Sequence, residues 1–188
     1  AASGNRPAVV LANLSGFDGS PESLRKLQLE YGAEIGRAVV NFDGPIIFVV
    51  IGRYHGGAYV VFSQELNPGL EACALEGSFA SVIGGGPAAA VVFPREVRQR
   101  VQADERVKEA QKRLASKPSS AEEEAKFEGV MREVEAEMQA QVANEFDTIH
   151  SVERALEVGS LSRVIPANLI RSELGSSLRV AVEKYLQK

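Results

Sequence analysis

The sequence predicts an α/β layered fold, and three observations predict it. Short apolar runs at residues 8–12 and 46–51 have the length and β-branched content of strands buried on both faces. Helix-start and turn signals separate such runs, so strand and helix alternate, which favours parallel pairing with right-handed crossovers. Fifteen of the 17 glycines precede Val130, most of them before Pro94, where tight strand–helix turns are required.

The elements follow in order. Ala8-Val9-Val10-Leu11-Ala12 reads as the first strand, and Asn13, Ser15, Gly16, Asp18 and Gly19 form a loop after it. Ser20-Pro21 is a helix start, a serine cap with proline at the first helical position. Leu24, Leu27, Leu29, Tyr31, Ile35 and Val39 are expected to give that helix its apolar side. Gly44-Pro45 ends the connection, and Ile46-Ile47-Phe48-Val49-Val50-Ile51 is the clearest buried strand. Residues 52–57 are expected to be a loop, with a helix opening near Ala58. Residues 78–83 read as a further strand, leading through Gly84-Gly85-Gly86-Pro87 into 88–93.

From about Arg95 to Phe146 the chain becomes charged and helical, with Gly129 and Pro118 as its only breakers. Val97, Val101, Val107, Ala110 and Leu114 form one imperfect stripe, and Phe127, Val130, Val134, Met138 and Val142 a regular one. Ser119-x-x-Glu122 and Ser120-x-x-Glu123 are both capping boxes for the second helix. An antiparallel helical hairpin over 96–142 is the expectation, inserted in a body formed by 1–95 and 143–188. From Asp147 onward, short mixed elements are expected.

The composition narrows function. A net charge of −4 argues against nucleic acid as a partner, because phosphate binding needs a basic face. No apolar run has the roughly 18–20 residues that span a bilayer. The first seven residues lack the pattern of a signal peptide, and the single Cys73 suits a reducing compartment. Together these predict a soluble, cytoplasmic protein with no membrane association.

The candidate chemistry is made of backbone donors. Gly56-Gly57-Ala58-Tyr59 follows a buried strand and opens a helix, so its free N–H groups converge on one spot where the helix dipole favours negative charge. Such a junction stabilises an oxyanion, although two glycines there also serve close helix–strand packing. Asn13-Leu14-Ser15-Gly16-Phe17-Asp18-Gly19 also follows a strand, and ligand sites in open α/β sheets gather beyond the carboxyl ends of strands. Both loops are therefore expected on one side. Gly84-Gly85-Gly86-Pro87 lacks the lysine and hydroxyl residue of a phosphate-binding loop. His55 and His150 have no nucleophile or carboxylate partner at recognisable spacing, and Cys73 is expected to be a small core residue. No set of side chains has metal-ligand spacing.

These residues resemble a known family. Leu11-Ala12-Asn13-Leu14-Ser15-Gly16-Phe17-Asp18-Gly19 is similar to the Leu-Ala-Asn-x-x-Gly-Phe-x-Gly segment of the carboxyltransferase domain of acetyl-CoA carboxylases. Gly56-Gly57-Ala58-Tyr59, at the end of Arg53-Tyr54-His55-Gly56-Gly57-Ala58-Tyr59, resembles the Gly-Gly-Ala-Tyr of propionyl-CoA relatives, with one residue fewer between the Arg and the glycine pair. Residues 76–84 and the closing Phe146, Thr148, Ile149, Ala155, Gly159, Val164, Ile165 and Pro166 continue the same register.

The resemblance implies a crotonase-like ββα superhelix, and the C-terminal of two such subdomains. It implies carboxybiotin, carried on a separate domain or subunit, as cofactor and a coenzyme A thioester as substrate. Its implied partners are an N-terminal carboxyltransferase subdomain, a biotin carboxyl carrier, a biotin carboxylase and further copies in a dimer or higher oligomer. Carried over residue by residue, the N–H groups of Gly57 and Ala58 would hold the biotin ureido oxygen, and Gly56, Tyr59, Gly16 and Phe17 would line the biotin site. Decarboxylated biotin would take the substrate's α-proton, so no side-chain base is required. Two departures stand out: Val60 where propionyl-type enzymes often have Asp, and Ser162-Arg163 where the closing motif usually has Asp. The acyl chain is therefore not readable across. Two alternatives stay open at this point: another crotonase-type acyl-CoA enzyme, with Asp18 or Glu65 as its carboxylate, and a non-catalytic assembly module built on the helical hairpin.

Overall fold

The computed structural model describes residues 6–116 and 120–187. The chain divides into two compact units, one running to Gly84 and resuming at Ile149, the other formed by Gly85–Thr148.

The first unit is built on an all-parallel sheet. Strands β1 (Ala8–Leu14), β2 (Ile46–Tyr54), β3 (Leu70–Leu75) and β5 (Arg163–Ile165) lie side by side in the order β1-β2-β3-β5, and the short β4 (Phe79–Ala80) extends from the end of β2. Alternation along β2 builds two cores. Ile46, Phe48 and Val50 face one side with Ala12, Ala72, Ala74, Val39, Ala58, Val152 and Leu161. Ile47 and Val49 face the other, with Cys73 and Ile165, under Ile170, Leu174 and Leu178 of the helix α9 (Ile170–Leu186). Helices on both faces explain why β2 is an unbroken apolar run.

Several elements differ from the sequence reading. β2 runs on to Tyr54, so the expected loop at 52–57 shrinks to His55 and Gly56. The extra strand length is held by Asn13, whose Oδ1 accepts the Arg53 N–H at 3.0 Å across a shift in the β1–β2 register. β3 has no counterpart in that reading: Leu-Glu-Ala-Cys-Ala-Leu is short, holds a charge and is rich in alanine, which gives a weak strand signal. The expected strand at 78–83 pairs only through Phe79 and Ala80. The C-terminal stretch carries a 17-residue helix rather than only short elements.

The helix expected after Ser20 is two helices, α1 (Pro21–Arg25) and α2 (Gln28–Val40), divided at Leu27, which has φ +58°. Ser20 does cap α1, accepting the Ser23 N–H on its Oγ at 3.2 Å. The predicted apolar side does not pack: Leu24, Leu27, Leu29, Tyr31 and Ile35 are exposed and only Val39 is buried. The packed face of α2 is instead Gly32, Gly36 and Val39, spaced four and three. A methyl group at Gly32 would stand 2.8 Å from the Phe17 ring, and one at Gly36 3.3 Å from Val61. Glycines carry this face because neighbouring side chains press directly on the helix backbone.

The second unit is helical. A single turn, α4 (Gly85–Pro87), runs into a π-helical turn over Ala88–Val92, then α5 (Pro94–Ala103), α6 (Glu105–Ser116) and α7 (Ala121–Ile149). Val97, Val101, Val107, Val134 and Val142 form its core with Ala89, so both predicted stripes supply buried residues. Arg100 pairs with Glu145 and Arg106 with Glu137, which sets α7 antiparallel to α5 and α6. The unit is wider than 96–142 because Ala89 joins its core and the buried Asp147 accepts the Gly85 N–H at 2.7 Å. The Ser119 capping box lies outside the described residues; at the Ser120 box, the Oγ accepts the Glu123 N–H at 3.3 Å.

Candidate functional site

The carboxyl ends of β1 and β2 place both glycine loops together, as their positions in sequence required. Gly16 and Gly56 meet backbone to backbone: a methyl group on Gly56 would stand 2.8 Å from the Gly16 Cα. Both adopt positive φ, +101° and +64°, a conformation that a side chain resists and glycine accepts. The Gly56 turn is held from two sides. The His55 N–H donates to the Leu14 carbonyl at 2.9 Å, and the Gly56 N–H to the Val82 carbonyl at 2.9 Å.

Helix α3 (Gly57–Val61) starts at this turn. The first N–H groups of a helix have no carbonyl within it to bond. Among the described residues, the N–H groups of Gly57 and Ala58 make no hydrogen bond, and Tyr59 is the first to turn back, donating to the Gly56 carbonyl at 3.1 Å. Two adjacent donors at the end of the sheet thus have no acceptor among the described residues.

The side chains around them have separate tasks. The Phe17 ring lies over both Gly57 and Gly32; a methyl group on Gly57 would stand 2.4 Å from its Cε2. Ala58 is buried in the core below. Tyr59 points its hydroxyl away, donating to Ser160 Oγ at 2.7 Å, while its ring packs at 4.9 Å on Tyr54. Tyr59 therefore anchors α3 to the segment after α8 (Val152–Glu157). Tyr54 is buried, its hydroxyl donates to the Phe62 carbonyl at 2.7 Å, and burial pushes its pKa upward.

His55, set aside at the sequence level, is 2% exposed. Its Nδ1 lies 3.1 Å from the Ser81 carbonyl and 3.2 Å from Ser81 Oγ. The carboxylates considered for acid–base work are engaged elsewhere or exposed. Asp18 accepts both the Ser20 N–H and the Ser20 hydroxyl, at 2.9 and 2.8 Å, and these bonds hold its carboxyl below the usual value. Glu65 is exposed in a turn where Ser63 Oγ accepts its N–H. Cys73 is a buried strand residue whose thiol is pushed up to about 11, chiefly by burial. The Gly84–Pro87 segment offers no phosphate cradle, since Asp147 already occupies the Gly85 N–H.

Among the described residues, cavities flank the first unit's elements at both ends of the sheet. One of about 350 Å³ is lined by Phe17, Tyr31, Gly32 and Ile35, beside the glycine loops. The other, about 500 Å³, lies at the opposite, amino ends of β2 and β3, between Phe42, Gly69 and the Lys184 turn of α9. Among the described residues, no group of three or more His, Cys, Asp or Glu is disposed to hold a metal, and no helix is long and apolar enough to cross a membrane.

The mitochondrial acetyl-CoA carboxylase of Saccharomyces cerevisiae is 34% identical over 64 residues, which is 33% of this chain and 3% of that protein. Among solved structures, transcarboxylase 12S, described as a hexamer with hydrolysed methylmalonyl-coenzyme A bound, superposes with a TM-score of 0.63 at 21% identity. That match covers 98% of this chain and 28% of the other. The β subunit of geranyl-CoA carboxylase from P. aeruginosa gives 0.66 at 20%, over 97% of this chain and 33% of that one. The chain thus spans about a third or less of the length of each relative. Over residues 1–188 the sequence matches the family described as the carboxyl transferase domain, and the chain belongs to that family.

Proposed function

We propose that this chain supplies the biotin-facing half of an acyl-CoA carboxyltransferase site, with a crotonase-like superhelix as its frame. The observation that carries the reading is the pair of adjacent N–H groups at Gly57 and Ala58, unbonded among the described residues and placed where the β1 and β2 loops meet. When bound, carboxybiotin would supply the carboxyl group and a ureido oxygen that gains negative charge as the carboxyl leaves.

The residues fit that demand. Gly57 and Ala58 present fixed dipoles to one oxygen, and they need no reorganisation because Gly56 and Tyr59 are bonded on either side. The Phe17 ring, resting on Gly57, gives a flat apolar wall beside the donors. Gly16 and Gly56 keep the approach open, since a side chain on either would collide with the other loop or strain the turn. Asp18 and Glu65 are not poised as bases, which accords with a site that works by charge stabilisation. The acyl-CoA would bind on an N-terminal carboxyltransferase subdomain, and a biotin carboxyl carrier and biotin carboxylase would complete the system. An acetyl- or propionyl-CoA type substrate is the reading that the sequence motifs favour.

The test is Gly57→Val in the complete carboxyltransferase, with carboxyl transfer measured at saturating acyl-CoA. The expected loss is about 10²-fold or more, the scale of removing one oxyanion donor. Near-normal transfer by a folded Gly57→Val protein would refute the assignment.

A further inference from the structure

We propose that His55 is a positioning residue: its buried imidazole, hydrogen-bonded to Ser81, fixes the Gly56–Gly57 turn and so the placing of the Gly57 and Ala58 N–H groups. This rests on the biotin reading above and names a residue on which that site depends.

An imidazole that is 2% exposed needs hydrogen-bond partners to offset lost hydration. A carbonyl only accepts, so the 3.1 Å contact from Nδ1 to the Ser81 carbonyl places the proton on Nδ1. The same N–H is shared with Ser81 Oγ at 3.2 Å, and that hydroxyl donates its own proton to the Ile83 carbonyl at 2.6 Å. Each hydrogen on the Ser81 side therefore has a defined direction.

The backbone bonds converge on the same residues. Ser81 N–H donates to the Tyr54 carbonyl at 3.2 Å, His55 N–H to Leu14, and Gly56 N–H to Val82. The ring lies against Gly84, where a methyl group would stand 3.1 Å from Cδ2. Three segments, 14–16, 54–57 and 81–84, are thus joined at His55. The turn they hold has φ +64° and ψ −139° at Gly56, a conformation that glycine adopts freely, so the turn's position is set by the segments bonded around it. Without the imidazole, the β2–α3 junction keeps its backbone bonds but loses the side chain that sets its distance from residues 81–84. The N–H pair would then point less uniformly, and a misplacement on the order of 1 Å at a reacting centre costs about 100-fold in rate.

The experiment is a titration of the 188-residue chain with d-biotin, followed by the backbone amide resonances of Gly57 and Ala58. In the unsubstituted chain both amides are expected to shift with biotin. In His55→Phe, checked for folding by the resonances of the β2–β3 core, the apparent affinity is expected to fall about tenfold or more. His55→Asn, whose side-chain amide reaches the Nδ1 position, is expected to restore binding to within about threefold. That rescue separates positioning from simple space filling. Should His55→Phe not fold, His55→Gln replaces it, because its amide lies at the Nε2 position and misses Ser81. Unchanged biotin shifts in folded His55→Phe or His55→Gln overturn the proposal. An absence of biotin shifts in the unsubstituted chain overturns the biotin reading itself, before any substitution is made.

Discussion

At the residue scale, single atoms decide what the site tolerates. A methyl group at Gly57 meets Phe17 Cε2 at 2.4 Å, so Gly57→Ala must push the ring off both Gly57 and Gly32. The expected cost in stability is about 1–3 kcal/mol, the range for overpacking. In a Phe17→Ala background, the same Gly57→Ala change is expected to cost clearly less, and a double-mutant cycle by chemical denaturation measures the difference. Leu27 gives the opposite sign. It holds φ +58° with its side chain half in solvent, so Leu27→Gly relieves left-handed strain and gives up little packing. A gain of about 0.5–1 kcal/mol is expected, read as a higher denaturation midpoint at unchanged slope. Cys73 has a pH signature. Its folded-state pKa, pushed up to about 11, exceeds that of an unfolded thiol, so the folded chain keeps a proton that the unfolded chain gives up. Stability from this group is complete below the unfolded thiol value and is lost as pH rises toward about 11. Cys73→Ala is expected to flatten that alkaline decline, and alkylation of the native thiol at pH 8 is expected to be far slower than in denaturant.

At the element scale, the helical unit depends on a narrow valine core. Val134 is fully buried between Val107 and its neighbours, so Val134→Ala is expected to cost about 1–2 kcal/mol. Hydrogen exchange should locate the loss in α5–α7, and equal loss in β2 and β3 would contradict a division into two compact units. This scale also shows what the sequence could reveal. β2 and the second valine stripe were plain because large apolar residues repeat at the right interval. The meeting of the two glycine loops was plain because each follows a strand run, and loops at the carboxyl ends of neighbouring parallel strands lie together. The packing face of α2 was not, because Gly32 and Gly36 act by lacking side chains and leave no hydrophobic period. β3 was missed for a related reason: alanine and cysteine fill a crowded sheet without announcing a strand. His55 was passed over because its partner, Ser81, is 26 residues away and only the β2–β4 pairing brings it near. Where the glycine loops lie was readable; what supports them was not.

At the scale of the whole molecule, the chain provides donors and a wall but only part of what its relatives contain, 28–33% of the solved subunits. The isolated chain is expected to move no carboxyl group from carboxybiotin to an acyl-CoA, and measurable turnover by it alone would sink the half-site reading. Adding the remaining carboxyltransferase segments should restore transfer. One connection bears on how such a molecule could arise. The chain leaves the sheet after β4 and returns at α8, and Phe79 pairs directly with Ser151. The two ends of the helical excursion are therefore fastened together within the sheet unit. An excursion fastened at its base behaves as a cassette: a gene could gain, lose or lengthen it with little penalty to the sheet, because the entropy of closing a loop grows only with the logarithm of its length. Replacing residues 85–148 with a short glycine–serine linker is accordingly expected to leave β1, β2 and β3 paired, with the turn at Gly56 unchanged between them.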